Sequence, residues 1–140
     1  MDKKTLFRIL SLSEGADVVD LGRRLAENYN VVTLKKPEKM LVMLKVRESA
    51  QNSLFYAGEA LACECMVQIG EVKGFAACLG DDLDKVYAMA VIDAALNAEL
   101  PEVAMILGTL ESWERKVTEK RALDAGLAMS TKVNFNIMEE

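Results

Sequence analysis

Three cysteines are the side chains of this chain best suited to chemistry. Cys63 and Cys65 lie two residues apart in an apolar segment, and Cys78 follows in the next apolar run. If the first segment is a strand, its period of two places both thiols on one face and Glu64 on the other. The chain has neither a fourth cysteine nor a histidine to complete the usual ligand set of a zinc or iron-sulfur site. We therefore predict buried cysteines that serve packing, with a thiol site shared with a partner chain as the alternative.

The absence of histidine weakens any enzymatic hypothesis. Histidine is the commonest general base and the commonest metal ligand near neutral pH. The serines have no histidine to activate them, and none is paired with a lysine at a spacing that suggests a dyad. We expect no catalytic residue, no metal site and no bound cofactor in this chain.

Composition sets the broad class of the protein. The 140 residues suit a single domain over residues 1–140, and a net charge of −5 argues against binding to nucleic-acid phosphates. No apolar stretch approaches the roughly 20 residues that cross a bilayer, so no membrane association is expected. The first residues do not resemble a secretory signal, which predicts a cytoplasmic protein.

Apolar spacing predicts an α+β fold that begins with helices. Residues 4–12 and 18–25 carry apolar side chains at helical spacing, separated by a Ser-Glu-Gly-Ala-Asp break that can cap the second helix. Together they predict an N-terminal helical hairpin.

The middle of the chain predicts a mainly antiparallel sheet of about four to five strands. Pro37 predicts a turn that joins residues 31–34 and 40–47 in a hairpin, and the second run has the composition of a strand buried on much of both faces. Residues 53–69 form two further strands, or one long strand bent at Gly58, because glycine within a strand often marks a bulge. One more strand follows a glycine-flanked turn.

Two C-terminal helices are predicted next. The first begins at Asp82, whose carboxylate suits the free amides of a helix start, and it has a face of small residues. Asp93 lies beside that face; we favour a solvated edge residue over a partly buried acid with a defined partner. The second helix carries the longest apolar stripe, including Trp113, and ends near Gly126. We expect the stripe to pack within the chain, with a face for a partner helix as the alternative.

A terminal extended strand is predicted to end the chain. Val133, Phe135 and Ile137 alternate with polar residues, which gives the segment one apolar face. Such a strand can complete the chain's own sheet or add to an edge in a neighbouring subunit. Residues 130–140 are therefore a candidate partner-docking tail.

Three segments carry a resemblance to a known family. Residues 55–61 read Phe-Tyr-Ala-Gly-Glu-Ala-Leu, similar to an aromatic pair followed by Ala-Gly, an acid and a small apolar continuation. Residues 74–94 run from a Gly-aromatic strand through Leu-Gly and a charged turn to Ala-Val-Ile-Asp-Ala, and residues 131–135 read Thr-Lys-Val-Asn-Phe. In this order and spacing the chain resembles the PhnG family, whose members are components of the bacterial carbon-phosphorus lyase core complex.

Departures from the family pattern make the chain look like a divergent member. The family turn usually reads Gly-Arg-Asp, whereas this chain has Gly80-Asp81-Asp82, so a positive charge is replaced by a negative one. Val86 and Tyr87 stand where the family often has polar or acidic residues. These differences weaken any expectation of phosphate contact at the turn.

The resemblance implies an accessory, scaffolding role in phosphonate catabolism. In the family's complex, PhnG and the H and L subunits support the I subunit in displacing adenine from ATP by methylphosphonate, which gives ribose 1-methylphosphonate 5-triphosphate. The J subunit later breaks the carbon-phosphorus bond by radical chemistry. ATP and methylphosphonate are then substrates of the complex rather than ligands of this chain. The expected partners are the H, I and J subunits, with the L subunit during catalysis.

We expect the partner interface to involve the Gly58 bend, the start of the helix near Asp82 and the C-terminal strand. The candidate interface residues are Gly58, Glu59, Asp82, Asp93, Trp113, Lys132, Val133, Phe135 and Ile137.

Two other functions remain open from the sequence. A small homodimeric structural domain would assemble alone through the Trp113 stripe. An independent binder of an anionic nucleotide would require cations such as Arg47, Lys73 and Arg115 to converge on a cleft, which nothing in their spacing predicts.

Overall fold

The computed structural model describes the backbone of residues 1–139 and the side chains of residues 1–127. Two compact units are present, one formed by Met1–Ser13 and Leu107–Glu140 and the other by Glu14–Ile106. The elements in chain order are α1 (Lys3–Leu12), α2 (Gly15–Asn28), β1 (Val31–Arg47), β2 (Leu54–Ile69), β3 (Val72–Leu79), α3 (Leu83–Asn97) and α4 (Val103–Glu139). The α+β class is confirmed, while the single-domain expectation stays a prediction. In the described part of the chain, no helix combines the length and apolar character needed to span a bilayer.

The two N-terminal helices form where the apolar spacing predicts them. Asp2 caps α1, because its side chain accepts a hydrogen bond from the Thr5 amide at 3.2 Å. Helix α2 buries Val18, Leu21 and Leu25 along one stripe, as expected for a helix with one apolar face.

The sheet contains three antiparallel strands in the order β1-β2-β3, so the prediction of four to five strands is wrong. Pro37 does not make a turn: β1 continues through it from Val31 to Arg47. The register with β2 shifts between Lys35 and Glu38, and proline is tolerated at such an irregularity on an edge strand. Likewise β2 passes through Gly58 without a break, so the alternative of one long bent strand is correct.

Helix α3 packs closely on the sheet because both surfaces are built from small residues. A Cβ atom on Gly74 of β3 would lie 2.3 Å from the Ala90 carbonyl oxygen and 2.4 Å from the Ala94 amide nitrogen. Only glycine fits such an approach between backbones. The small-residue face predicted for α3 is therefore confirmed, and this contact fixes the helix over β2 and β3.

Helix α3 also closes the outer edge of β3. The Leu61 carbonyl accepts a hydrogen bond from the Gly80 amide, so the odd-numbered residues of β2 in this part of the strand direct their backbone groups towards β3. The backbone groups of Met66 therefore point away from β3. Phe75 lies opposite Met66 and therefore directs its amide outward, where Asp93 Oδ2 accepts it at 3.0 Å. Asn97 Nδ2 donates to the next outward group, the Lys73 carbonyl, at 3.0 Å.

Asp93 is only 4% exposed, so the favoured expectation of a solvated residue is wrong and the alternative of a buried acid with a defined partner is correct. Its Oδ2 also accepts from Asn97 Nδ2 at 3.3 Å. The burial is stable because hydrogen-bond donors replace the water that the carboxylate loses.

The predicted terminal strand is wrong, because α4 runs from Val103 to Glu139 and passes through Gly126. A helix pairs its backbone groups within one segment, whereas a strand requires a neighbouring edge. The apolar stripe of α4 has the expected internal role over its first turns, where Ile106, Leu110 and Trp113 are buried.

The three cysteines are free thiols in the core, which confirms their predicted burial. Cys63 and Cys78 lie opposite each other on β2 and β3 with their Sγ atoms 3.7 Å apart. Burial raises the pKa of Cys63 to about 12, with further contributions from Cys78, and raises the pKa of Cys65 to about 11. Neutral thiols behave as small apolar groups and are poor nucleophiles.

Replacing Asp93 tests the closure of the β3 edge. Asp93→Ala leaves the Phe75 amide without its acceptor, so we expect the free energy of unfolding to fall by about 1–3 kcal/mol. Asp93→Asn keeps an oxygen that can accept the same hydrogen bond and should lose less. Urea titration followed by circular dichroism measures both variants; an Asp93→Ala chain as stable as the wild type would contradict the assignment.

The buried thiols predict slow chemical modification and reduced stability in alkali. The folded pKa values of Cys63 and Cys65 lie above the ordinary value of 9.0, so their stabilising effect is present below pH 9 and is lost as the pH rises towards 11–12. A thiol-specific reagent at pH 8 should label the folded chain far more slowly than the urea-unfolded chain. The urea midpoint should fall between pH 9 and 11, and less steeply in a chain with all three cysteines replaced by alanine. Rapid labelling of a thiol in the folded chain would contradict this account.

Candidate functional site

The β1–β2 hairpin extends well beyond the rest of the sheet. Strand β3 pairs with β2 only between Ala62 and Ile69, whereas β1 and β2 remain paired as far as Arg47 and Leu54. Residues 40–47 of β1 and 54–61 of β2 thus form a two-stranded ribbon, which we call the arm.

The arm exposes apolar side chains on both of its faces. Directly opposed residues share a face, so Leu41 and Leu61 lie on one side and Val46 and Phe55 on the other. Eight large apolar residues of the arm are exposed: Leu41, Met43, Leu44, Val46, Leu54, Phe55, Tyr56 and Leu61. The sequence indicates a strand buried on both faces at residues 40–47. That expectation is wrong for the isolated chain, because the described part of the structure leaves these side chains exposed.

The apolar surface continues from the arm onto the face of the sheet opposite α3. Cys63, Cys65 and Val67 of β2 are buried, and the side chains of alternate residues point the other way. On that other face β3 exposes Phe75 and Leu79, and Leu79 reaches 71% exposure. Phe75 and Leu79 therefore add apolar surface on the face of the sheet opposite α3, beside polar groups such as the Lys35–Glu64 ion pair.

Gly58 and Glu59, two of the predicted interface residues, lie in the middle of the arm. Gly58 has a φ of +155°, and the register shifts between Leu44 and Lys45 opposite it, which marks a β-bulge in β2. Glu59 is exposed and lies opposite Met43. Beyond the bulge, the Lys45 ammonium stands 5.3 Å from the centre of the Tyr56 ring.

The other predicted residues with described side chains have structural contacts. Asp82 caps α3 by accepting the Lys85 amide at 3.0 Å, as its position predicts. Asp93 binds the β3 edge, and Trp113 is 8% exposed, so most of its surface is already covered within the chain. The structure therefore does not bring these three together with Gly58 and Glu59 into one exposed site. The side chains of Lys132, Val133, Phe135 and Ile137 lie outside the described residues.

The described residues offer little that resembles a catalytic or nucleotide-binding centre. Among them, no three Cys, Asp or Glu side chains are grouped to hold a metal ion. A cleft of about 270 Å³ between α2 and α3 carries Arg23, Asp84 and Tyr87, and burial raises the pKa of Tyr87. The volume of this cleft is below the usual range of small-molecule sites. Its lining carries one cation and one carboxylate, so their charges offset each other and do not favour an anionic ligand.

The cations proposed for nucleotide binding do not converge within the sheet. Arg47 pairs opposite Leu54, whereas Lys73 pairs opposite Gln68. These two positions on β2 are roughly 45 Å apart at about 3.3 Å per residue. The exposed apolar surface is therefore the feature of the molecule that most requires a functional explanation.

Comparison with known proteins gives one family. A search of curated proteins found no match. The family model described as "Phosphonate metabolism protein PhnG" matches residues 1–139, which is nearly the whole chain. The match covers the arm, the sheet and the helices together. This chain therefore belongs to the PhnG family of phosphonate metabolism proteins.

Proposed function

We propose that this chain is an accessory subunit of the carbon-phosphorus lyase complex that binds its partners through the arm and the face of the sheet opposite α3. Family membership supports a role in phosphonate metabolism within a complex of several subunits. The observation that carries the proposal is the apolar surface of the arm, which is exposed on both faces in the isolated chain. Exposed apolar patches of this extent are typical of surfaces that bind another protein.

The extent of the surface suits a subunit interface. Eight arm residues together with Phe75 and Leu79 expose roughly 40–70% of their side chains. At about 60–120 Å² for each, they present on the order of 1,000 Å² of apolar surface. Monomeric proteins typically carry a largest patch of about 300–600 Å², and a standard interface buries about 800 Å² on each partner. A partner that encloses both faces of the arm would therefore bury an area typical of a subunit interface.

The proposed reaction belongs to the complex as a whole. The I subunit, supported by this chain and by the H and L subunits, would displace adenine from ATP with an alkylphosphonate and give ribose 1-alkylphosphonate 5-triphosphate. This chain would supply surface that holds the partners in place rather than a reacting group. ATP and methylphosphonate would bind to the partners, and the assembly would operate in the cytoplasm.

The predicted interface residues fit the proposal unequally. Gly58 and Glu59 are exposed in the arm and are available to a partner. Asp82 and Asp93 would act indirectly, by holding α3 and the β3 edge in place. Residues 130–140 remain a proposed second contact.

Replacing an exposed aromatic residue of the arm tests the interface. Phe55→Ser removes apolar surface that is 48% exposed, and Leu12→Ser removes a similarly exposed side chain, 45%, from α1. Both isolated chains should keep the wild-type free energy of unfolding within about 0.5 kcal/mol. Tagged Phe55→Ser should recover at least about tenfold less of the H, I and J subunits than the wild type, because about 1.4 kcal/mol of lost binding energy is a tenfold change. Leu12→Ser should recover normal amounts.

Adenine release from ATP and methylphosphonate, with the L subunit present, reports on activity in the same preparations. We expect release to depend on this chain and to fall with Phe55→Ser in proportion to the complex recovered. A wild-type chain that purifies alone, with its partners active in its absence, would contradict the proposed function.

A further inference from the structure

The edges of this sheet differ in how they are protected against pairing with another strand. An open edge presents unpaired amides and carbonyls, and proteins usually defend it with lysine, proline, bulges or a covering element. Asp93 and Asn97 close the outer edge of β3. The first half of β1 carries Lys36 and Pro37 together with two register shifts between Thr33 and Glu38. Each of these edges is therefore defended.

The outer edge of β1 within the arm has none of these defences over residues 40–44. Its sequence is Met-Leu-Val-Met-Leu, and its register with β2 is regular from Met40 to Leu44. The opposite edge of the arm is interrupted by the bulge at Gly58 and carries the charge of Glu59. In the described sheet β1 pairs with β2 alone, so the regular apolar edge from residue 40 to 44 stands open.

Two hydrogen bonds determine which backbone groups of β1 point outward. The Glu48 amide donates to the Ser53 carbonyl at 2.8 Å, so even-numbered residues of β1 direct their backbone groups towards β2. The Leu61 carbonyl accepts a hydrogen bond from the Gly80 amide at 2.9 Å, so the backbone groups of Leu61 point towards β3. Leu41, which lies opposite Leu61, therefore directs its own backbone groups away from β2. Both observations place the amides of Leu41, Met43 and Lys45 on the outer edge.

We propose that an extended segment of a partner subunit pairs with this edge as a fourth strand of the sheet. The inference rests on the proposed function and names the contact by which the arm is held. Main-chain hydrogen bonds to Leu41, Met43 and Lys45 fix the register, and apolar side chains of the segment extend the surface of the arm. The composition of residues 40–46, typical of a strand buried on both faces, is then explained by burial in the assembly.

Charge identifies the chemistry of the segment. Strand β1 carries Lys35, Lys36, Lys39, Lys45 and Arg47 against a single acid, Glu38, although the whole chain has a net charge of −5. A complementary segment therefore has an apolar centre flanked by carboxylates that reach Lys39 at one end and Lys45 or Arg47 at the other.

The same charges disfavour a second copy of this chain as the occupant. Two copies of β1 paired antiparallel about Met43 would set Lys39 opposite Arg47, and the symmetry of the pair would repeat this contact. Like charges that are directly opposed across a strand pair are destabilising. A partner subunit with an acidic-flanked segment satisfies the edge without this repulsion.

Proline at residue 43 tests the edge directly. Met43→Pro removes an outward amide and leaves the β1–β2 ladder intact, and proline is accepted on an edge strand with this orientation. Met43→Ala is the matched control, because it removes the same side chain and keeps the amide. Met43→Pro should recover at least about tenfold less of the H, I and J subunits than Met43→Ala, while circular dichroism shows both isolated chains folded.

Charge reversal gives a second test that does not depend on how proline is tolerated. Lys39→Glu with Lys45→Glu should reduce recovery of the partners about tenfold, whereas Lys36→Glu, in the defended half of β1, should change it less than about twofold. Equal recovery with Met43→Pro and Met43→Ala would overturn strand addition and leave the proposed function standing. A wild-type chain that binds none of the subunits would instead overturn the proposed function. Sedimentation that shows the isolated wild type as a dimer, abolished by Met43→Pro but not by Met43→Ala, would assign the edge to a second copy and overturn the partner assignment.

Discussion

The need to pair or protect the backbone at the edges of a three-stranded sheet governs the structure of the Glu14–Ile106 unit. Gly74 lets α3 approach β3 until Asp93 and Asn97 reach its outward amide and carbonyl. The buried carboxylate of Asp93 is tolerated because these donors replace water. The same helix covers the buried face of β2, where the cysteines pack. One close contact between a helix of small residues and the sheet thus both builds the core and closes an edge.

The arm is exposed because α3 does not extend over it. Strands β1 and β2 continue for about eight residues beyond the point where β3 ends, and the layer formed by α3 does not extend over them. Side chains such as Leu41, which is 64% exposed, therefore remain in water although the local sequence is typical of a buried strand. In a member of the PhnG family, whose role implies other subunits, we assign the missing layer to a partner. In the function we propose, the chain would contribute to the reaction by holding its partners rather than by supplying a reacting group.

Local patterns predict the elements that depend on local physics. The apolar stripe of α2, the Asp82 cap and the small-residue face of α3 all follow from spacing, because each reflects the helical period or the chemistry of a helix end. Pro37 gives a misleading strand count, because its effect depends on whether its strand lies at an edge. The burial of Asp93 is not predictable from spacing either, since its partner is a backbone amide 18 residues away. The exposure of the arm is not predictable from its sequence, because residues 40–47 have the composition of a buried strand; we assign that burial to a partner.

Amide hydrogen exchange along β1 tests the central claim most directly. The labelled chain would be exchanged alone and in the complex with the H, I and J subunits, quenched, and read residue by residue by NMR. In the isolated chain we expect the outward amides of Leu41, Met43 and Lys45 to exchange faster than the inward amides of Val42 and Leu44. In the complex the outward amides should slow by about 100-fold or more, because main-chain pairing protects them. Outward amides that exchange equally fast in both states would contradict the account, because the arm would then have no strand at its edge.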